Sequence, residues 1–263
     1  MIPRAHIVAW RQVAPWVSDA QVEQDLIMSR TLVAIFANSV LATALAFRGG
    51  TALHKLYFQP ARRYSEDIDL VQITPGPIGS ILDALKGVLN PFLGEPKRKQ
   101  AEGTVTLTYR MDSEGPPVVP MRLKIEINTR EHFSVTGFKH QPYEVRSRWF
   151  QGSCRITTFS LEELLGTKVR ALYQRRKGRD LFDLWLGLTK GKAKASTVIR
   201  IFGEYMKAQG LTVKREDYEK NLQEKIKHQG FASDLTPLLP TSVDYDIIEA
   251  LELIRGELIA KIK

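Results

Sequence analysis

Arg48-Gly49-Gly50-Thr51-Ala52-Leu53, followed by Tyr64-Ser65-Glu66-Asp67-Ile68-Asp69-Leu70, decides how this chain is read. The first stretch leads from a short strand, Ala46-Phe47-Arg48, through a Gly-Gly turn into a helix from Thr51 to Tyr57. Two glycines let backbone N–H groups approach a phosphate, and a helix N-terminus adds free donors and a favourable dipole. The second stretch is a strand, Asp67 to Ile73. Its aspartates are two apart, so both side chains leave from one face. Neighbouring carboxylates repel unless a cation lies between them, and Mg²⁺ takes such hard oxygens while keeping positions for waters and substrate phosphates. Singly, the turn also suits an unliganded strand-to-helix connection, and Asp-Ile-Asp a solvent-facing acidic pair. Together they suit transfer of a nucleotide from an NTP, with Arg48, Gly49, Gly50, Thr51 and Ser65 on the nucleotide side and Asp67 and Asp69 on the metal side.

Around this pair the first half mixes helices with alternating strands. Asp19 to Leu45 reads as one or two helices, and the apolar run Leu32 to Phe47 is too short to span a bilayer comfortably and reads as buried helix. Pro75-Gly76-Pro77 breaks the chain before a helix from Ile78 to Leu89. Thr104 to Met111 alternates as a strand, and Glu114-Gly115-Pro116-Pro117 is a turn. Met121-Arg122-Leu123-Lys124-Ile125-Glu126-Ile127-Asn128 is a clean period-two strand with its apolar residues on one face. Glu126, on the polar face, is a candidate third metal carboxylate; the other reading pairs it with Lys124 or Arg122. This pattern indicates an α+β mixed sheet with helices against it over residues 1–159.

From Ser160 the texture turns helical, through 160–263. Ser160-Leu161-Glu162-Glu163 is a capping-box pattern. A helix runs from Leu161 to about Lys177, another starts near Arg179-Asp180, and more are expected at Ser196–Gln209, Lys214–His228 and Val243–Ile262. Lys168 and Arg175 share a helical face, as do Asp180 and Asp183. One reading is an ordinary helix start with a Leu181, Leu184 and Trp185 core. The sharper one has Lys168 neutralising triphosphate charge, oriented by an aspartate.

The chain has 263 residues, 38 Lys+Arg against 29 Asp+Glu, and a formal net charge of +9. Such a surplus favours polyanionic partners through counterion release. It is clustered at Pro96-Lys97-Arg98-Lys99, at Arg170, Arg175, Arg176, Lys177 and Arg179, and at Lys190, Lys192 and Lys194, and the 170–179 cluster is the expected RNA contact. Cys154 is the only cysteine, which excludes an internal disulfide and a thiolate zinc site and fits a reducing cytoplasm. No secretory h-region follows Met1-Ile2-Pro3-Arg4, so neither secretion nor membrane insertion is expected.

At Gly49-Gly50-Thr51-Ala52-Leu53, at Ser65-Glu66-Asp67-Ile68-Asp69-Leu70, and at Lys168 with Arg179-Asp180-Leu181-Phe182-Asp183-Leu184, the chain resembles the AbiEii family of nucleotidyltransferase toxins, which includes the mycobacterial MenT toxins. The resemblance covers roughly residues 30 to 190. It implies a polymerase β-like nucleotidyltransferase fold, a type IV toxin–antitoxin role with an antitoxin encoded nearby, and NMP transfer from an NTP with release of pyrophosphate. For the MenT branch it implies the 3′ end of tRNA as acceptor and a block of translation. By position it gives Asp67 and Asp69 the metal role, Gly49 to Thr51 the phosphate role, Lys168 the essential-lysine role, and Asp180 or Asp183 the downstream acid; the third carboxylate, Glu126, comes from the wider superfamily. The wider superfamily usually has Gly-Ser where this chain has Gly-Thr, a change that keeps the hydroxyl. Two rivals stand beside it: the same fold acting on a small molecule or a protein hydroxyl, and a non-catalytic nucleic-acid-binding domain.

Overall fold

Alternation in the sequence becomes a seven-stranded mixed sheet in the computed structural model, which describes residues 2–115, 117–240 and 242–263. The expected turn at Glu114 to Pro117 therefore lies partly outside the described residues. The chain divides into two compact units, Met1–Phe159 and Ser160–Lys263.

In the first unit the strands are β1 (Leu45–Arg48), β2 (Asp67–Gln72), β3 (Lys97–Ala101), β4 (Thr104–Asp112), β5 (Pro120–Asn128), β6 (Lys139–Arg146) and β7 (Gln151–Thr158), in the order β3-β4-β5-β2-β1-β7-β6. β2 runs antiparallel to β1 and parallel to β5, and β1 runs parallel to β7. Ile68, Leu70, Leu107, Tyr109, Leu123, Ile125 and Ile127 are buried on one face. Helices α1 (Arg4–Trp10), α2 (Asp19–Ala37), α3 (Ser39–Ala44), α4 (Gly49–Ala52) and α5 (Gly79–Leu93) accompany the sheet. Tyr109 on the apolar face donates to Asn90 of α5 at 3.2 Å, so α5 covers that face.

The run Leu32 to Phe47 is not one helix. Asn38 leaves helical geometry, and its side chain accepts from the Leu41 N–H at 3.1 Å, capping α3 and ending α2. β1 then begins at Leu45. Strands β3, β6 and β7 have no counterpart in the sequence reading. β3 is exposed throughout, so no buried stripe marks it; its Lys97, Arg98 and Lys99 are charges that discourage edge-to-edge pairing.

Buried charge anchors the helix that follows the Gly-Gly turn. α4 continues as a π-helical turn, Leu53–Tyr57, and Lys55 within it lies 2.7 Å from Asp25 Oδ1 and 3.0 Å from Ser29. The indoles of Trp10 and Trp16 donate to the same carboxylate at 2.9 and 3.2 Å. Burial opposes the Lys55 charge, but Asp25 outweighs it and the ammonium is held above its ordinary range.

In the second unit the helices are α6 (Leu161–Gln174), α7 (Gly178–Thr189), α8 (Ala195–Lys207), α9 (Arg215–Ile226), α10 (Gln229–Ser233) and α11 (Ile247–Glu257). Ser160 caps α6, its hydroxyl accepting from the Glu163 N–H at 3.3 Å. α6 packs on α7 and α8, with Leu165 against Gly187 and Gly166 against Ile201, and Leu165, Val169 and Leu172 are buried. Among the described residues no helix is long and apolar enough to cross a membrane.

Candidate active site

Register places the two aspartates. Asp69 pairs with Arg48 of β1 on one side and Glu126 of β5 on the other, and Asp67 pairs with Lys124 of β5. Paired residues point to the same side of a sheet, so Asp67, Asp69, Lys124, Glu126 and Arg48 share the face opposite the apolar core. Asp67 and Asp69 are both half-buried.

The Gly-Gly turn closes directly over this pair. Gly49 has φ +81°, the left-handed region, and a Cβ there would fall 2.1 Å from Asp69 Oδ2. Glycine is thus required twice, once for the backbone and once for the carboxylate beside it. The turn and the Asp-Ile-Asp strand form one structure: the Asp69 carboxylate occupies the space left by the missing side chain.

Thr51 does not offer its hydroxyl to a ligand. It is 1% exposed and donates to the Asp67 carbonyl, and Ser65 Oγ sits 2.7 Å from it. Since the Thr51 proton goes to Asp67, Ser65 donates to Thr51. In this fold the two hydroxyls form a clamp that ties α4 to the start of β2. Replacing Thr51 with Val strands the Asp67 carbonyl and the Ser65 hydroxyl, and should cost about 1–3 kcal/mol of stability in chemical denaturation. Arg48, also expected on the nucleotide side, is ion-paired with Glu131 at 2.6 Å.

Glu126 follows its other reading. Its carboxylate is bonded to Lys124 Nζ at 2.6 Å, and among the described residues no three His, Cys, Asp or Glu side chains gather as a metal-binding set. Glu126 lies beside Asp69 in register, with its carboxylate paired to Lys124. The same alternation that exposed Glu126 placed Lys124 on this face, so that signal was present in the sequence. Partial burial opposes the Lys124 charge, yet Glu126, Asp67 and Asp69 together hold it above its ordinary range. The Asp pair itself fits Mg²⁺: two hard oxygen ligands on one face, one of them set in a cradle that a Cβ would fill.

In the helical unit Lys168 Nζ lies 2.9 Å from Asp180 Oδ1 and 2.8 Å from Asp183 Oδ2. Both aspartates are fully buried, and the lysine side chain is 7% exposed. Arg175 completes the cluster with two bonds of 2.7 Å to the Asp180 carboxylate. Both aspartates, rather than one, orient Lys168. Burial alone would raise the Asp180 carboxyl, but Lys168 and Arg175 hold it below its ordinary value.

The basic run 170–179 divides. Arg170 is buried, its guanidinium 5.0 Å from the centre of the Tyr205 ring, whose hydroxyl donates to Glu163 at 2.9 Å. It is packing inside the unit, which removes it from the expected RNA surface. Arg175 serves Asp180, while Lys177 and Arg179 meet Asp234 at 3.0 and 3.7 Å. Arg176 is exposed. Burial pushes the Cys154 thiol up to about 11, which favours its protonated form.

Comparison with known proteins adds the following. The model of the family described as "Nucleotidyl transferase AbiEii toxin, Type IV TA system" matches residues 30–253. A Helicobacter pylori protein described as a nucleotidyltransferase superposes with a TM-score of 0.57 at 20% identity, covering 93% of this chain and 96% of its own. JHP933, also from Helicobacter pylori, gives 0.54 at 18% identity, with 93% and 94% covered. MenT4, a nucleotidyltransferase toxin of Mycobacterium tuberculosis, gives 0.53 at 12% identity with 100% of each chain covered. At these identities the likeness concerns the fold. No curated protein sequence matches the chain.

Proposed function

Because this chain belongs to the AbiEii family of nucleotidyl transferase toxins of type IV toxin–antitoxin systems, we propose that it transfers NMP from an NTP to the 3′-hydroxyl of an RNA, with tRNA as acceptor. The observation that supports this most is the Asp69 carboxylate nested against Gly49 at the mouth of a phosphate-competent turn. The +9 charge supports a polyanionic acceptor over a cationic small molecule such as an aminoglycoside.

In this reading Asp67 and Asp69 hold Mg²⁺. When bound, the ion would neutralise polyphosphate charge and favour ionisation of the acceptor hydroxyl. The backbone N–H groups at Gly49 and Gly50 face the phosphates, and Lys124 supplies a cation on the same face. The acceptor 3′-oxygen forms a bond to the α-phosphorus, the α–β bridging bond breaks, and pyrophosphate leaves. The hydroxyl proton passes to a carboxylate of the pair. Catalysis is mainly positioning and charge neutralisation. Lys168 is assigned a positioning role through Asp180, Asp183 and Arg175, since its charge is already met by two carboxylates. Nucleotides added at the tRNA 3′ end would block aminoacylation and so translation, which suits a toxin restrained by an antitoxin.

The test is incubation with total tRNA and each α-labelled NTP. Wild type should label RNA, and Asp67→Ala should lower labelling by about 10²-fold or more. Equal labelling by the variant would reject the metal assignment. Label that resists RNase and moves with a small molecule would move the reading to a small-molecule acceptor.

A further inference from the structure

The polar face of the sheet does not end at the aspartates. Across the strands, Asp67 is in register with Lys124, then Thr108, then Lys97. Asp69 is in register with Glu126, then Thr106, then Lys99. One row further along β4 and β5, Arg110 is in register with Arg122. Lys97, Lys99, Arg110 and Arg122 are all exposed, and among the described residues none of the four is in an ion pair. Thr106 and Thr108 lie half-buried between the rows, offering hydroxyl donors. Arg98, one residue out of phase, leaves from the opposite face and bonds Gln100 at 2.6 Å. The apparent Lys97-Arg98-Lys99 cluster therefore delivers two of its three charges to the face of the aspartates.

The span of this face identifies its ligand. From β2 to β3 there are three strand-to-strand steps of about 4.8 Å, or roughly 14 Å. That is too far for a triphosphate whose α-phosphate sits at the aspartates to reach the edge strand. It suits a short run of nucleotides along a nucleic-acid strand. A row of cations and hydroxyls along the sheet, beside a pocket lined by Gln24, Glu66, Arg110 and Arg122, supplies the electrostatic part of sequence-tolerant single-strand binding.

We infer that this sheet face, from β3 to the Asp67–Asp69 pair, is the track on which the last few nucleotides of a single-stranded RNA 3′ end lie, with phosphates against Lys97, Lys99, Arg110 and Arg122. The inference rests on the nucleotidyltransferase reading for its direction, since the 3′ end must reach the aspartates. It moves the RNA contact from the 170–179 helical segment to the sheet of the first unit.

The experiment is fluorescence anisotropy with a short 5′-fluorescein-labelled single-stranded RNA, titrated at several salt concentrations without NTP. The proteins are wild type, Lys97→Ala/Lys99→Ala, Arg110→Ala/Arg122→Ala and Arg176→Ala/Lys177→Ala, with thermal melts to confirm folding. Each sheet-face double variant should raise Kd by about tenfold and shrink the slope of log Kd against log salt by about 1.4, close to 0.7 per lost phosphate contact. The helical variant should bind as wild type does. Unchanged affinity and slope in both sheet-face variants overturns the track, as does a loss confined to the helical variant. A parallel labelling assay separates the two readings. Sheet-dependent binding without NMP transfer keeps the track and rejects the proposed reaction. Transfer with sheet-independent binding does the reverse.

Discussion

Replacing Lys168 with Met should destabilise the helical unit by about 3–5 kcal/mol, the usual cost of breaking a buried ion pair from one side. The cause is what remains. Asp180 and Asp183 are fully buried, and without the ammonium at 2.9 and 2.8 Å only Arg175 is left of the cluster's two cations. Hydrogen exchange along Leu161–Gln174 is the local readout: amides of α6 should exchange faster while β4 and β5 stay as protected as in wild type. Lys168→Met/Asp183→Asn removes one carboxylate charge together with the cation and should recover part of the loss, which a defect of packing alone would not. The pH dependence carries a sign. Asp180 is held below its free value of about 3.8 despite its burial, because Lys168 and Arg175 outweigh desolvation. A depressed carboxylate contributes stability that is complete above the free value and is lost as pH falls through the folded one. The gap between wild type and Lys168→Met should therefore be widest above about pH 4 and narrow below it. A gap that stays constant into acid would remove electrostatics as its cause.

What could be read from sequence follows from where each side chain ends up. Met121–Asn128 announced itself because one face is core and the other polar, and Asp67–Leu70 did so for the same reason. β6 was hidden because it is an outer strand with Pro142 in it and most of its residues exposed, so no apolar stripe repeats. β3 shows no stripe at all. The site was legible in its residue types but not in their commitments. Glu126 reads as a free carboxylate until Lys124, two residues away on the same face, is seen paired with it. Arg170 reads as surface charge until Tyr205, 35 residues later, is seen beneath it. Thr51 reads as a phosphate donor until the fold brings Ser65 and the Asp67 carbonyl to its hydroxyl. For Glu126 the partner lies two residues away on the same face, whereas for Thr51 and Arg170 it is tertiary and its sequence distance carries no local signal. The partnership of Gly49 with Asp69 belongs to the same class: two motifs 20 residues apart, each weak alone, joined by a single missing Cβ.

That partnership sets the largest effect on activity. Gly49→Ala should lower NMP transfer by about 10²-fold, the scale on which catalysis responds to displacing a reacting group by about 1 Å. The three atoms nearest the added Cβ are Asp69 Oδ2 at 2.1 Å, Cγ at 2.9 Å and Cβ at 3.0 Å. All belong to one side chain, so the strain is relieved by turning the Asp69 carboxylate out of its cradle. The backbone adds its own cost, since φ +81° disfavours a residue with a Cβ by about 1–2 kcal/mol. The melting temperature should fall modestly while transfer falls steeply. If the turn serves to aim Asp69, the Mg²⁺ concentration needed for half-maximal transfer should rise in the variant while KM for RNA stays near wild type. Gly79→Ala is the matched control: a Cβ there meets nothing within 4 Å, so transfer should be unchanged. A Gly49→Ala enzyme that keeps wild-type transfer at low Mg²⁺ would show that the carboxylate tolerates displacement, and the Gly-Gly turn would then be a connection without a part in the chemistry.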